Sequence, residues 1–279
     1  MSRELTPQEI AERSLIKTYR KSIWNPFIAA VKRYELVSPG DKIAVCISGG
    51  KDSVMLAKLM QELQRHTDRP FELAFMVMDP GYKPENRKLI EDNAALLGIP
   101  ITIFDSDIFN VTVSAEKNPC YLCARMRRGF LYAKAQELGC NKIALGHHFS
   151  DVVETTVMGL FYGGQLQAMP PKLRSKNFPG MELIRPLYCV HEDAVIAWKN
   201  YNFCSVPAAL RRNGTPPVTV WATASVRKSN FCCGSCGKTI PTLKRVFFRA
   251  SMVFRSTRSP ASSTMGCSTP LQSSMSIRT

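Results

Sequence analysis

Short apolar runs alternate with longer amphipathic stretches between residues 42 and 163. The first run, KIAVCIS at residues 42–48, is apolar almost throughout, as expected for a strand that is covered on both faces. This alternation predicts βαβ units and therefore an α/β fold, a Rossmann-like parallel sheet with helices on both faces. Further strands are predicted over 71–79, 99–105 and 141–148, and helices over 53–66, 84–98, 124–140 and 151–163.

Polar residues and glycines cluster where the predicted strands end. Residues 48–53 follow the first strand, Asp79 closes the second, and residues 146–151 include the end of the fourth. Ligands of parallel sheets bind beyond the carboxyl ends of the strands. We therefore expect these three stretches to form one ligand site.

An N-terminal stretch of mixed apolar and basic residues precedes the sheet. A single helix is predicted from Pro7 to Tyr34, because apolar residues recur along one stripe of it. Its other faces carry cationic residues that either form a solvated surface or contact RNA phosphates. These residues are Arg13, Lys17, Arg20, Lys21, Lys32 and Arg33.

The composition indicates a globular chain. Its 279 residues are 45% hydrophobic, which is enough for a sizeable core in one or two domains. No apolar run approaches the ~20 residues that a bilayer-spanning helix needs. The charged N-terminus also lacks the apolar centre of a secretory signal. We expect a soluble, cytoplasmic protein with no membrane partner.

The sequence SGGKDS at residues 48–53 has the features of an anion-binding loop. Its glycines permit a tight turn, after which backbone N–H groups and a helix N-terminus face the anion. The hydroxyls of Ser48 and Ser53 and the ammonium group of Lys51 are further donors. Asp52 suits a bound Mg²⁺ or a hydrogen bond to a reacting group. The common P-loop motif is excluded, because Asp52 stands where that motif needs Ser or Thr.

SGGKDS resembles the signature of the PP-loop, or adenine nucleotide alpha-hydrolase-like, ATP pyrophosphatases. The stretches CYLCARMRRGFLYAKAQELGCNKIALGHHFSDVVET, FYGGQLQAMPPKL and IRPLYCV resemble the tRNA 2-thiocytidine synthetase branch, and the resemblance runs from about residue 34 to residue 202. It implies that the loop holds the pyrophosphate portion of ATP, which is cleaved between the α and β phosphates. It also implies that the C2 oxygen of a tRNA cytidine is adenylated and then replaced by sulfur.

The resemblance further implies roles for residues at the strand ends. Lys51 and Asp52 are expected to be catalytic, and the loop is expected to grip the phosphates of ATP together with Mg²⁺. Residues near the ends of the second and fourth strands are expected beside the nucleotide. The complete set of expected cofactor-binding residues is Ser48, Gly49, Gly50, Lys51, Asp52, Ser53, Met78, Asp79, Gly146, His147 and Asp151.

Cys120 and Cys123 have C-x-x-C spacing at the mouth of a predicted helix. On spacing alone they are two structural cysteines, a zinc half-site or part of a metal cluster. The resemblance implies that both ligate an iron–sulfur (4Fe-4S) cluster that carries the sulfur, and that both are therefore catalytic. Cys46 and Cys140 lie in or beside apolar strands, and we expect them in the core.

Two positions depart from the pattern of the family, and the first is Ser150. The family has Gly-His-His-x-Asp-Asp, whereas this chain has GHHFSD, so only Asp151 of the two carboxylates is present. If the missing carboxylate helps to hold Mg²⁺, the activity should fall. A serine hydroxyl can still cap a helix N-terminus, so folding need not suffer.

The second departure is the segment from Phe203 to Thr279. It holds 11 of the 37 Lys and Arg residues and none of the 22 acidic ones, so the net charge of +15 falls to +4 without it. The segment is aperiodic and rich in serine, and a shift of two nucleotides can restore acidic residues and a Cys-x-Cys pair. We interpret it as the product of a frameshift near Asn202. The third cluster ligand is then missing, the run CCGSCGK is accidental, and the segment is expected to be poorly structured.

The predicted organisation is an N-terminal helical segment over 1–36, a PP-loop ATP-binding domain over 37–202 and an aberrant tail over 203–279. Two other functions stay open. One is a lysidine-synthetase-like ligase, against which the cysteine pair argues; the other is an ATP-binding remnant without turnover, which Ser150 and the tail favour. Expected partners are tRNA and a sulfur donor such as a cysteine desulfurase, and the oligomeric state, including a homodimer, is left open.

Overall fold

The computed structural model describes residues 4–106, 119–166 and 168–203, with side chains from residue 125 onward in the second range. These ranges contain β1 (Lys42–Ile47), β2 (Glu72–Asp79), β3 (Ile101–Asp105), β4 (Lys142–Ala144), β5 (Lys172–Arg174) and β6 (Glu182–Ile184). The strands form one sheet in the order β3-β2-β1-β4-β6-β5. The pairs β1–β2, β1–β4, β2–β3 and β4–β6 are parallel, and the edge strand β5 is antiparallel to β6. The predicted α/β fold is confirmed.

The helices of the described ranges cover both faces of this sheet. They are α1 (Pro7–Arg13), α2 (Asn25–Arg33), α3 (Lys51–His66), α4 (Pro84–Leu96), α5 (Pro119–Glu137), α6 (Phe149–Gly163) and α7 (Glu192–Phe203). Gly98, predicted to close the second helix, follows α4 with φ +61°. No helix in the described part of the chain is both long and apolar enough to cross a membrane.

Alternate residues of β1 enter two separate cores, as the period of two in a strand requires. Ile43 and Val45 join the larger core, which is built with α1 to α4 and α7. Ala44 joins the smaller one, which contains Tyr132 and Ala135 of α5. The strand is therefore buried on both faces, and this explains why its sequence is apolar almost throughout.

The prediction of one uninterrupted helix over residues 7–34 is wrong. Two π-helical turns, Ser14–Thr18 and Arg20–Trp24, separate α1 from α2. The segment has one continuous set of apolar buried residues, in which most neighbours are spaced by four. A residue every four positions drifts about 40° per step on an α-helix, and the wider π turns absorb this drift. The residues spaced by four or eight are Ala11, Leu15, Ile23, Phe27 and Val31; Ser14 and Ala30 are buried beside them.

Polar contacts fix the N-terminal segment to the rest of the domain. Lys58 of α3 is fully buried, and its Nζ lies 2.6 Å from Glu12 Oε1. Ser14 Oγ accepts a hydrogen bond from the buried indole Nε1 of Trp198 at 2.9 Å and one from Asn202 at 3.2 Å. The last described helix therefore packs through Trp198 on the first part of the chain. The predicted poor structure of residues 204–279 lies outside the described residues.

Candidate active site

The loop between β1 and α3 makes a tight turn at the carboxyl end of the sheet. Gly49 has φ +74°, which lies in the left-handed region that glycine adopts without strain. A Cβ on Gly49 would also approach Ile90 Cγ1 to 3.0 Å. Gly50 is the extended residue directly before α3. The first N–H groups of α3 therefore open onto the loop, as an anion site requires.

Ser53 braces this loop from the inside. Its buried hydroxyl donates to the Gly50 carbonyl at 2.9 Å and accepts from the Ser48 N–H at 3.2 Å. The hydroxyl proton of Ser53 is thus used within the loop. Ser48 is exposed, and its hydroxyl donates to Ser53 Oγ at 3.4 Å. The two serines, grouped together as phosphate donors on sequence grounds, have different contacts.

Gly146 allows the connection after β4 to pack directly on the first turn of α3. A Cβ on Gly146 would lie 3.2 Å from the carbonyl carbon of Asp52 and 3.2 Å from the N atom of Ser53. Both are backbone atoms, so they can yield only if α3 itself moves. The sequence predicted Gly146 beside the nucleotide. In the structure, the absence of a side chain at Gly146 allows the connection after β4 to lie close to the first turn of α3.

Lys51 is held between two carboxylates. Its Nζ lies 3.0 Å from Asp52 Oδ1 and 3.2 Å from Glu192 Oε1, and its side chain is 10% exposed. Burial alone would lower the pKa of Lys51, but Asp52 and Glu192 outweigh it and raise that pKa. Lys51 is therefore a fixed cation at neutral pH. Glu192, at the start of α7, was not predicted; the only sequence signal was an acidic residue shortly after IRPLYCV.

His148 is buried where the connection after β4 enters α6. Its backbone N–H donates to Asp151 Oδ2 at 2.8 Å, and its Nδ1 accepts from the Asp151 N–H at 3.3 Å. These reciprocal bonds form a capping box. The other ring nitrogen, Nε2, lies 3.7 Å from Asp52 Oδ1 and 3.9 Å from Glu192 Oε1. His148 thus links the α6 cap to the carboxylates around Lys51, next to the half-buried His147.

Ser150 contacts backbone. Its hydroxyl accepts from the Glu192 N–H at 3.4 Å, which joins the starts of α6 and α7. This contact positions the residue that reaches Lys51. Ser150 supplies no carboxylate oxygen to the site, which is the position where the resemblance implies an aspartate.

Asp79 organises the end of β2. Its buried Oδ1 accepts from the N–H groups of Gly81 at 2.8 Å and Tyr82 at 2.6 Å, and its Oδ2 lies 3.2 Å from Arg87 Nη1. Met78 beside it is also buried. Asp79 therefore stabilises the turn after β2. The sequence predicted its position at the edge of the sheet; the pairing with Arg87, eight residues later, was missed.

The two predicted cluster cysteines stand at the beginning of α5. The backbone places Cys120 and Cys123 in its first turns, but their side chains lie outside those that the structure describes. Cys46 and Cys140 pack with the smaller core, as expected. Burial raises the pKa of Cys46 to about 12, so this thiol is neutral at physiological pH.

The carboxylates of the site suit a metal that arrives with a nucleotide. Asp52 and Glu192 both contact Lys51, and Asp151 lies on the other side of His148. Among the residues whose placement is described, no three potential ligands gather closely enough to hold a metal by themselves. Mg²⁺ in nucleotide sites commonly takes one or two carboxylates and completes its shell with phosphates and water. The residues present fit that arrangement.

A glycine turn, a helix N-terminus and a fixed lysine at the carboxyl edge of a parallel sheet define an α/β nucleotide-binding protein. Comparison with known proteins gives the family. Residues 17–205 match the PP-loop domain. The chain belongs to the PP-loop family, in the branch that contains the tRNA-cytidine(32) 2-sulfurtransferases.

Three curated relatives of this branch illustrate the match. The tRNA-cytidine(32) 2-sulfurtransferase of Alkalilimnicola ehrlichii is 42% identical over 183 residues, which are 63% of this chain and 57% of the relative. That of Neisseria meningitidis serogroup C is 39% identical over 199 residues, 69% of this chain and 60% of the relative. That of Alcanivorax borkumensis is 38% identical over 215 residues, 72% of this chain and 74% of the relative. The chain thus spans less than two thirds of the first two relatives.

A solved structure agrees with the fold. The U34-tRNA thiolase NcsA from Methanococcus maripaludis, described with its [4Fe-4S] cluster, superposes with a TM-score of 0.51 at 21% identity. The superposition covers 77% of this chain and 74% of NcsA. At this level of identity the likeness concerns the fold.

Proposed function

We propose that this protein activates a tRNA cytidine with ATP and supports the replacement of its C2 oxygen by sulfur. The observation that carries the proposal is the loop of residues 48–53, with Lys51 fixed at the N-terminus of α3. The turn at Gly49, the donors of α3 and the cation of Lys51 converge on one point at the sheet edge. Their chemistry suits pyrophosphate, which carries several negative charges on closely spaced oxygens.

The charges around Lys51 define how a nucleotide would enter. In the described structure Asp52 and Glu192 neutralise Lys51. A bound triphosphate would replace at least one of these carboxylates as the partner of the ammonium group. Mg²⁺ would then compensate the carboxylate that is released, and Asp52 is adjacent to the loop. Lys51 and Asp52 therefore act together, one on the phosphate oxygens and one on the metal.

The reaction follows from the leaving groups. The C2 oxygen of cytidine attacks the α phosphorus of ATP; a new O–P bond forms, the bond to the β phosphate breaks, and pyrophosphate leaves with the bonding electrons. A sulfur nucleophile then adds at C2, and AMP departs with the former carbonyl oxygen. AMP is a far better leaving group than a carbonyl oxygen, so cleavage of ATP drives the substitution.

An iron–sulfur cluster at Cys120 and Cys123 would supply the sulfur. Thiolates at the start of a helix favour metal binding, because the N–H groups of the first turn stabilise their charge. The third ligand that the resemblance implies has no identified counterpart in this chain. A cysteine desulfurase as the sulfur donor and a cytoplasmic location remain predictions.

The cluster assignment is tested with the double variant Cys120→Ser/Cys123→Ser. We expect it to lose thiocytidine formation, measured by mass spectrometry of digested tRNA after reconstitution with iron and sulfide, and to keep the wild-type Kd for ATP. The control is Cys46→Ser, which makes the same substitution at a core cysteine that is not an expected cluster ligand. If the double variant still thiolates tRNA, the cysteines do not carry the sulfur.

A second candidate, an ATP-binding remnant without turnover, is favoured by Ser150. Its hydroxyl is used on the Glu192 N–H, so the site has one carboxylate fewer than the family pattern. The acid-free segment after Asn202 favours the same candidate. The variant Ser150→Asp separates the two functions: a remnant limited by this residue gains pyrophosphate release, whereas an enzyme that already turns over changes little.

A further inference from the structure

A cleft lies between the N-terminal helical segment and the end of α3. It is a groove of about 530 Å³, half open to solvent, and is lined by the two π turns, by α2 and by the residues around His66. We call it the Trp24 cleft, after the indole in its wall. Cavities of ~300–1,000 Å³ are typical of small-ligand and nucleotide sites. Three of the six cations of the N-terminal segment, Lys17, Arg20 and Lys32, line this cleft.

The rim of the Trp24 cleft is cationic. Lys17, Arg20, Lys32 and Arg69 line it, against the single carboxylate of Asp68. All four cations belong to exposed residues, and within the described part of the chain none of them has an ion-pair partner. Lys17 lies in the first π turn and Lys32 in the last turn of α2, so the rim runs along both π turns and α2. The rim therefore presents several cations to one ligand.

The wall of the cleft is apolar and contains an aromatic ring. Trp24 is half-buried and meets His66 edge to face, with ring centroids 6.3 Å apart. Ile28 and Leu63 continue the apolar surface. An aromatic wall below a cationic rim is the arrangement that binds unpaired nucleotides, since the base stacks on the ring while the phosphates meet the cations.

The cleft is separate from the PP-loop. Lys51 opens α3 and His66 closes it, and these 16 residues span about 24 Å. One nucleotide cannot contact both ends of the helix. A ligand of the cleft is therefore either an independent molecule or another part of a large substrate that also reaches the active site.

We propose that the Trp24 cleft binds unpaired nucleotides of the RNA substrate, remote from the cytidine that reacts. The proposal rests on the proposed function, because it takes tRNA as that substrate. The cleft would hold the RNA by a second contact and set its orientation. The cationic rim would bind the phosphate backbone of the RNA. The indole of Trp24 would stack with a base that is not paired, and so would select an unpaired stretch.

The test compares two double variants of the full chain that remove the same charge. Lys17→Ala/Lys32→Ala deletes both ends of the rim, and Lys88→Ala/Lys176→Ala deletes two exposed lysines elsewhere. Binding of unmodified tRNA is measured by fluorescence anisotropy between 50 and 300 mM salt. Each phosphate contact contributes ~0.7–0.9 to the slope of log Kd against log salt, so the rim variant should lose about 1.5. At 0.1 M salt this corresponds to a Kd roughly 30-fold higher.

The outcomes separate this inference from the proposed function. A rim variant that loses slope and affinity while the control keeps both supports the cleft. Equal losses in both variants, or none, overturn it, because binding is then set by the total charge of the chain. If the wild type does not bind tRNA at all, the proposed function itself fails. Competition of tRNA by millimolar free AMP, abolished by Trp24→Ala, would assign the cleft to a small nucleotide instead.

Discussion

The packing of Gly146 on α3 yields a sharp prediction about the nucleotide site. In Gly146→Ala the new Cβ would lie 3.2 Å from the backbone carbon of Asp52 and 3.2 Å from the N atom of Ser53. These atoms belong to the first turn of α3, so relief requires a shift of the turn that carries the phosphate donors. Overpacking of this kind typically costs about 1–3 kcal/mol. If binding must restore the original position, the Kd for ATP rises roughly 5- to 150-fold.

The assay is calorimetric titration of the variant with ATP and Mg²⁺, combined with thermal unfolding. The matched control is Gly129→Ala, because a Cβ on Gly129 meets no atom within 4 Å and the residue is inside α5. That control should bind ATP normally and gain up to ~1 kcal/mol of stability from the better helix former. An unchanged Kd in Gly146→Ala would refute the reasoning, since the contact would then not position the loop.

Two further predictions concern ion pairs. Glu192→Gln should lower the Kd for ATP about three- to fivefold, because it removes a carboxylate that competes with phosphate for Lys51 and lies partly in solvent; Asp193→Asn, one residue away, should not change it. Burial alone would raise the pKa of Glu12, but hydrogen bonds from Arg65, Lys58 and Gln8 outweigh it and lower that pKa from 4.5 to about 2. The free energy of unfolding should therefore fall by about 3 kcal/mol as pH drops from ~5 to ~2, because the unfolded state binds the proton first. Urea unfolding of wild type and Glu12→Gln at pH 5 and pH 2 measures this change in the free energy of unfolding. If Glu12→Gln loses as much stability at low pH as the wild type, Glu12 is not the cause.

The central strands could be predicted from sequence because burial on both faces leaves a continuous apolar run, as in β1. The positions of the site loops could then be predicted as well, since these loops begin where the strands end. The predicted strand over 141–148 is shorter in the structure, where β4 ends at Ala144. The residues after it approach α3 at Gly146 and cap α6 at His148, and neither contact has a local signature.

Other features depended on contacts that are remote in sequence. β5 has three residues that are exposed or half-buried, so no apolar pattern marks it. Glu192 reaches Lys51 across 141 positions of the chain. The π turns had no clear sequence signal, because the buried set with Ser14 and Ala30 is also compatible with an α-helical stripe.

The most direct test of the account is the identity of the products from ATP. The full chain is incubated with ATP labelled at the α phosphate, Mg²⁺ and unmodified tRNA, and the nucleotides are separated by thin-layer chromatography, with Lys51→Ala as the control. The account predicts that tRNA stimulates cleavage between the α and β phosphates, giving labelled AMP, free or attached to RNA, together with pyrophosphate, and that the control gives neither. Formation of ADP, or binding of ATP and tRNA without any AMP, would contradict it.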